Sequence, residues 1–136
     1  MATHGKLAEG FQNTLDILGV PQENISVMGF YCGKKHEEEE ITNLFTKVSD
    51  EDQLIIFTDI QYGSVNQIFT KEAIRHQDKN VEILTGFNLP LLLEITMSKE
   101  QLSKQELKDM VEKASRQMQL MDLNAFVTTS KEEDIF

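Results

Sequence analysis

The first candidate for chemistry is a histidine followed by a glycine near the start of the chain, His4-Gly5. An imidazole can act as nucleophile, metal ligand or general base. Asp59 follows a buried-looking apolar run, and the turn Gln61-Tyr62-Gly63-Ser64 follows Asp59. A carboxylate accepting from one ring nitrogen fixes the tautomer and leaves the other nitrogen free to attack. A glycine backbone and helix N-termini beside such a pair could hold a phosphate, because free N–H groups and the helix dipole favour an anion. The plainer alternative has His4 capping a helix or turn, and Asp59 and Ser64 capping the helix that follows them.

Other candidates carry less. His36 precedes Glu37, Glu38, Glu39 and Glu40, but consecutive acids point round a helix, so no more than two can share a ligand set and no metal is expected. His76, near Arg75 and Lys79, reads as a cation complementing a helix C-terminus. Cys32 has Lys34 and Lys35 nearby but no histidine partner, which favours a half-buried structural thiol. The sequence contains no Walker loop, GxGxxG, CxxC or GxSxG. Common nucleotide, redox and hydrolase readings fall away, and no cofactor is expected.

These side chains need elements to bring them together. Short apolar runs alternate with longer segments of helical periodicity, the pattern of βα units and a mostly parallel sheet with helices on both faces. Leu7, Phe11, Leu15 and Leu18 define a first helix, closed by Gly19 and Pro21. Residues 24–31 (NISVMGFY) read as a strand. Ile41, Leu44, Phe45 and Val48 then mark a second helix behind the acidic run, where a helix N-terminus favours negative charge. The continuous apolar run at 53–58 (QLIIFT) fits a strand buried on both faces, hence central.

Ser64, as N-cap, opens a third helix carrying Val65, Ile68, Phe69 and Ala73. Residues 81–85 (VEILT) read as a strand and 88–96 (NLPLLLEIT) as an apolar helix with Pro90 in its first turn. The capping box Ser103-x-x-Glu106 starts a long helix whose stripe runs through Leu107, Met110, Val111, Ala114, Met118 and Met121. Residues 124–128 (NAFVT) form one weak strand candidate in the tail. That makes about four strands in the sheet. His4 comes so early that the first of them is either a stub or lacks residues that belong to it.

Composition sets the class. A chain of 136 residues is expected to form a single domain, 1–136, because two cores would each be marginal. Hydrophobic residues at 40% and charged residues at 26% are globular values, and no apolar run nears the roughly 18 residues of a membrane span. The 23 acids exceed the 13 bases, for a formal charge of −10, which disfavours nucleic acid and anionic lipid and suits a protein partner with a basic face. A single cysteine and no signal-like opening point to the cytoplasm.

Three collinear stretches resemble the enzyme IIA component of the mannose family of the bacterial sugar phosphotransferase system. ATHGKLAEG at 2–10 resembles the family's phosphorylation segment, IIFTDIQYGSVNQ at 55–67 its second active-site loop, and TGFNLPLLLE at 85–94 the segment after its fourth strand. In the second loop Tyr62 and Val65 stand where the family usually has glycine and proline, while Gly63 and Ser64 remain.

The resemblance implies a phosphocarrier enzyme without a metal. His4 would accept a phosphoryl group from phosphorylated HPr on one ring nitrogen, Nε2, and Asp59 would orient the ring. An enzyme IIB would then take the group for sugar uptake through the membrane components IIC and IID. Backbone N–H groups of Gly5, Gly63 and Ser64 are the expected phosphoryl-binding donors. The resemblance also implies a homodimer in which the C-terminal strand at 124–128 is exchanged. Alternative readings are a regulatory or scaffolding module of the same fold, the phosphocarrier of a dihydroxyacetone kinase, and a small-molecule binder at the same sheet edge. An oriented imidazole favours transfer, since a scaffold has no need of one.

Overall fold

The structure is a computed structural model and describes residues 1–33 and 38–127. Four strands, β1 (Ala2–His4), β2 (Met28–Phe30), β3 (Leu54–Thr58) and β4 (Val81–Thr85), form one sheet in the order β2-β1-β3-β4. All three pairings are parallel. The helices are α1 (Leu7–Ile17), α2 (Glu38–Thr46), α3 (Ser64–Arg75), α4 (Leu89–Thr96), α5 (Lys104–Ser115) and α6 (Leu123–Val127).

Side chains alternate across the sheet because successive Cβ atoms point to opposite faces of a strand. On β3, Phe57 enters a core with Leu15 of α1, Leu91, Leu92 and Ile95 of α4, and Leu107 and Ala114 of α5. Ile56 enters a second core with Ile41 and Phe45 of α2 and Val65 and Phe69 of α3. Helices therefore cover both faces, and β1 and β3 are the interior strands. Each fully buried leucine or phenylalanine, such as Leu15, Leu92, Phe45 and Phe69, contributes about 1.5–3 kcal/mol from removal of apolar surface from water.

The first strand pairs on both of its edges. Its three residues register with Met28, Gly29 and Phe30 on one side, and Ala2 registers with Thr58 on the other. Hydrogen bonding reaches Met1, whose carbonyl accepts from the Met28 N–H at 2.9 Å. Thr3, fully buried, accepts the Ala8 N–H on Oγ1 at 2.8 Å and so satisfies one first-turn donor of α1.

Most expected elements are present, and five details differ. The second strand is confined to Met28–Phe30, because residues 24–27 lead into the sheet as a turn and extended loop rather than pairing. Helix α5 has the expected capping box but stops at Ser115, so Met118 and Met121 lie beyond it and are exposed. Ser64 is the first residue of α3, not its cap; Gly63 holds the cap position and no side chain caps it. Cys32 is exposed rather than half-buried, although its thiol donates to the Gly29 carbonyl at 3.3 Å. The tail segment expected as a strand is instead helical over Leu123–Val127, since a strand without a neighbour leaves its ladder unpaired whereas this turn bonds locally, Ala125 N–H to the Asp122 carbonyl. Thr128, Lys34, Lys35, His36 and Glu37 lie outside the described residues.

Candidate active site

The chain places β2 on one side of β1 and β3 on the other. The helices that follow β1 and β3 pack on opposite faces of the sheet, α1 with the first core and α3 with the second. The two strand ends therefore open onto a crevice between diverging helices, where open parallel sheets bind ligands. His4 ends β1, and Asp59 follows the last residue of β3. Strand order is what makes them neighbours.

Asp59 Oδ2 accepts the His4 backbone N–H at 2.8 Å and faces His4 Nδ1 at 2.9 Å. A carboxylate has no proton to give, so Nδ1 carries the hydrogen and Nε2 holds a lone pair. Asp59 Oδ1 accepts the Ile60 N–H at 3.0 Å. The Asp59 side chain is 9% exposed while that of His4 is 36% exposed, so the ring is anchored inside and presented outside. Burial pushes the Asp59 carboxyl up, but the hydrogen bonds from the His4 backbone N–H and ring hold it below its ordinary value of 3.8.

Nε2 lies 3.2 Å from Ser64 Oγ, which also accepts from the Tyr31 hydroxyl at 3.0 Å. The Tyr31 ring stacks on the His4 ring, with centroids 5.5 Å apart and planes 25° from parallel. Ser64, Val65 and Asn66 open α3, and the first bond back along that helix is Gln67 N–H to the Gly63 carbonyl at 2.9 Å. Amides of a helix's opening residues have no intrahelical acceptor and favour an anion.

The loop between Asp59 and Ser64 is fixed from below. Asn66 Nδ2 donates to Thr58 Oγ1 at 2.9 Å, and its Oδ1 accepts the Tyr62 N–H at 3.2 Å. Tyr62 adopts φ 60°, the left-handed region that suits glycine and costs other residues roughly 1–2 kcal/mol. A Cβ at Gly63 would stand 3.1 Å from the Ile60 carbonyl oxygen, so a side chain there would require this turn to shift by a few tenths of an ångström. Val65 is buried in the second core and leaves the rim to Tyr62.

His4, Asp59, Gly63 and Ser64 thus share one edge, with Gly5 beside them. The Gly5 N–H donates to the Phe30 carbonyl at 2.7 Å and the Gly63 N–H to the Ile60 carbonyl at 3.0 Å. The Gly5 bond continues the pairing of β1 with β2, and the Gly63 bond closes a local turn on Ile60. The open donors of the Asp59 loop begin with Ser64. His76 caps α3 at its C-terminus and bonds Glu72 at 3.0 Å, away from this site. Among the described residues no cluster of three or more His, Cys, Asp or Glu could hold a metal ion.

Sequence reasoning passed over Tyr31 and Asn66. Asn66 gave a weak signal, a polar side chain in the first turn of an otherwise apolar helix face. Tyr31 gave none, since its approach to His4 exists only because β2 lies beside β1.

The fold is an α/β parallel sheet in which an imidazole and a carboxylate meet at the carboxyl edge of the strands. Residues 1–115 match the family described as the PTS system fructose IIA component, EIIA-man. The chain belongs to this enzyme IIA family of the sugar phosphotransferase system, whose members are phosphocarriers. The fold is similar to that of phosphotransferase system component EIIA from Streptococcus agalactiae, at 22% identity and a TM-score of 0.70 over 91% of this chain and 95% of that one. It is similar to the PTS IIA protein associated with the fucose utilization operon from Streptococcus pneumoniae, at 25% identity and a TM-score of 0.72 over 93% and 92%. The mannose/sorbose specific IIA subunit from Enterococcus faecalis shares the fold at 11% identity, with a TM-score of 0.66 over 89% and 91%. Among the described residues no helix is long and apolar enough to cross a membrane.

Proposed function

We propose that this chain carries a phosphoryl group on Nε2 of His4, receiving it from phosphorylated HPr and passing it to an enzyme IIB that serves membrane components IIC and IID. The observation that carries the reading is the His4–Asp59 pair: one carboxylate oxygen holds both the backbone N–H and Nδ1 of His4, at 2.8 and 2.9 Å. The remaining ring nitrogen keeps its lone pair and faces Ser64 and the start of α3.

In the transfer, the lone pair of Nε2 forms the new N–P bond while the bond from phosphorus to the donor atom breaks, its electron pair staying on the donor. No proton has to leave His4, because the one on Nδ1 stays on Asp59's side. The ring gains positive character as the bond forms, and the adjacent Asp59 carboxylate offsets it. The Ser64 hydroxyl and the opening amides of α3 are the donors for the phosphoryl oxygens, and positioning supplies most of the catalysis. Passing the group to enzyme IIB reverses the step with a different partner atom. The net charge of −10 suits basic partner faces.

The chain acts as a homodimer in this reading. Met118, Leu120, Met121, Leu123 and Val127 are exposed along one stretch of tail, apolar surface that a second copy would cover. Light scattering of the full chain checks this: a monomer at all concentrations would remove the dimer.

The transfer test uses labelled phospho-HPr with the full chain beside His4→Ala. Acid-labile, alkali-stable label on the wild type and none on His4→Ala is the expected result. A folded wild type that takes no label would turn the reading towards a regulatory module of the same fold.

A further inference from the structure

We propose that Tyr31 is a positioning residue of this site, acting through Ser64: its hydroxyl donates to Ser64 Oγ and thereby aims the Ser64 proton at His4 Nε2 and at the phosphoryl group that replaces it there. The proposal rests on the phosphocarrier reading above for its use, and on distances alone for its geometry.

A serine hydroxyl has one hydrogen and two acceptor lone pairs. Tyr31 fills a lone pair at 3.0 Å, and Nε2, lacking a hydrogen, stands 3.2 Å from the same oxygen. The polar order is therefore Tyr31 O–H to Ser64 O–H to Nε2, with Nδ1–H to Asp59 at the far end. Every donor points the same way along the line, so each bond polarises the next. Without the Tyr31 donor the Ser64 hydroxyl could turn to solvent, since its side chain caps nothing in α3.

Two further observations place Tyr31 in the site rather than on a passing surface. Its ring stacks on the imidazole, covering one face. Its backbone sits at φ 62°, a left-handed conformation that disfavours a tyrosine and persists where surrounding structure imposes it. The carbonyl of Phe30, immediately before it, takes the Gly5 N–H at 2.7 Å. The same short bond that pins the turn after His4 thus pins the residue preceding Tyr31. The side chain is 66% exposed, so removing its hydroxyl does not disturb a core.

The test is a double-mutant cycle of Tyr31→Phe and Ser64→Ala in the full chain, read in two ways. Transfer from labelled phospho-HPr is expected to slow about five- to tenfold in Tyr31→Phe, the loss of one aimed hydrogen bond, and the same change in the Ser64→Ala background is expected to do nothing further. The Nε2 nitrogen resonance of His4 is expected to move in Tyr31→Phe and to show no additional movement when Ser64 is alanine. Tyr31→Leu, which also loses the ring, is expected to be slower than Tyr31→Phe.

Equal effects of Tyr31→Phe in both backgrounds would overturn the proposal, because a merely structural role carries over unchanged. An unmoved Nε2 resonance in Tyr31→Phe would also overturn it. A wild type that takes no label defeats the phosphocarrier reading, while the nitrogen resonance still decides whether Tyr31 acts through Ser64.

Discussion

One oxygen of Asp59 holds His4 twice, by its backbone N–H and by ring nitrogen Nδ1. The double grip ties the ring's orientation to the main chain of β1, so the imidazole does not depend on a rotamer preference alone. It also joins the ends of β1 and β3, where the strand ladder itself registers only Ala2 with Thr58.

Asp59→Asn is expected to lower the rate of phosphoryl transfer about ten- to a hundredfold, the worth of a charge-assisted hydrogen bond. The amide can still accept the His4 N–H, so folding persists while the tautomer is no longer fixed. Rapid-quench transfer with phospho-HPr checks it; a rate equal to wild type would remove Asp59 from the mechanism.

Acid should release this grip late. The folded Asp59 carboxyl ionises below its ordinary value of 3.8. A group depressed in the folded state contributes stability that is complete above the unfolded value and is lost as pH falls through the folded one. Stability of the wild type relative to Asp59→Asn is therefore expected to be constant above about pH 4–5 and to shrink below it. Carboxyl carbon shifts across the titration give the direct reading, and a midpoint above 3.8 would contradict it.

Ser64→Ala is expected to slow transfer while leaving stability within about 0.5 kcal/mol of wild type. The reason is that Gly63, not Ser64, holds the cap position of α3 and no side chain caps that helix. An N-cap serine would cost about 1 kcal/mol instead. Urea unfolding separates the two cases.

Gly29→Ala is expected to destabilise by about 1–3 kcal/mol through overpacking. A Cβ there would run into the Gly5 carbonyl oxygen, a backbone atom that cannot swing aside. The Gly5 turn carries His4, so transfer should fall as well. An unchanged urea midpoint together with an unchanged rate would show that the turn can give way.

Much of this was legible in the chain. Apolar residues recur at helical spacing in α1, α2, α3 and α5, and β3 is a nearly unbroken apolar run, because burial on a sheet covered on both faces demands it. Ser103 announced a helix start, which the structure caps through Glu106 N–H, while Asn88, read as part of its helix, caps α4 through Leu91 N–H. The family resemblance at 2–10, 55–67 and 85–94 agrees with the family matched over residues 1–115. Asp59 could be placed at a strand end from the apolar run before it, and His4 just ahead of the first helix. The tail has β-like residues at 124–127, yet Leu123–Val127 is helical in the single chain.

What sequence alone determined is therefore local: which segments are strands and helices, and which polar residues end them. Distance between segments was decided by tertiary structure. The order β2-β1-β3-β4 makes β1 the neighbour of both β2 and β3, and so brings Asp59, 55 residues away, onto His4 and sets Tyr31 against its ring. It also commits the Gly5 amide to the Phe30 carbonyl across β1 and β2. Pairing of strands is a choice made by the packing of both sheet faces at once, and no window of the chain contains it.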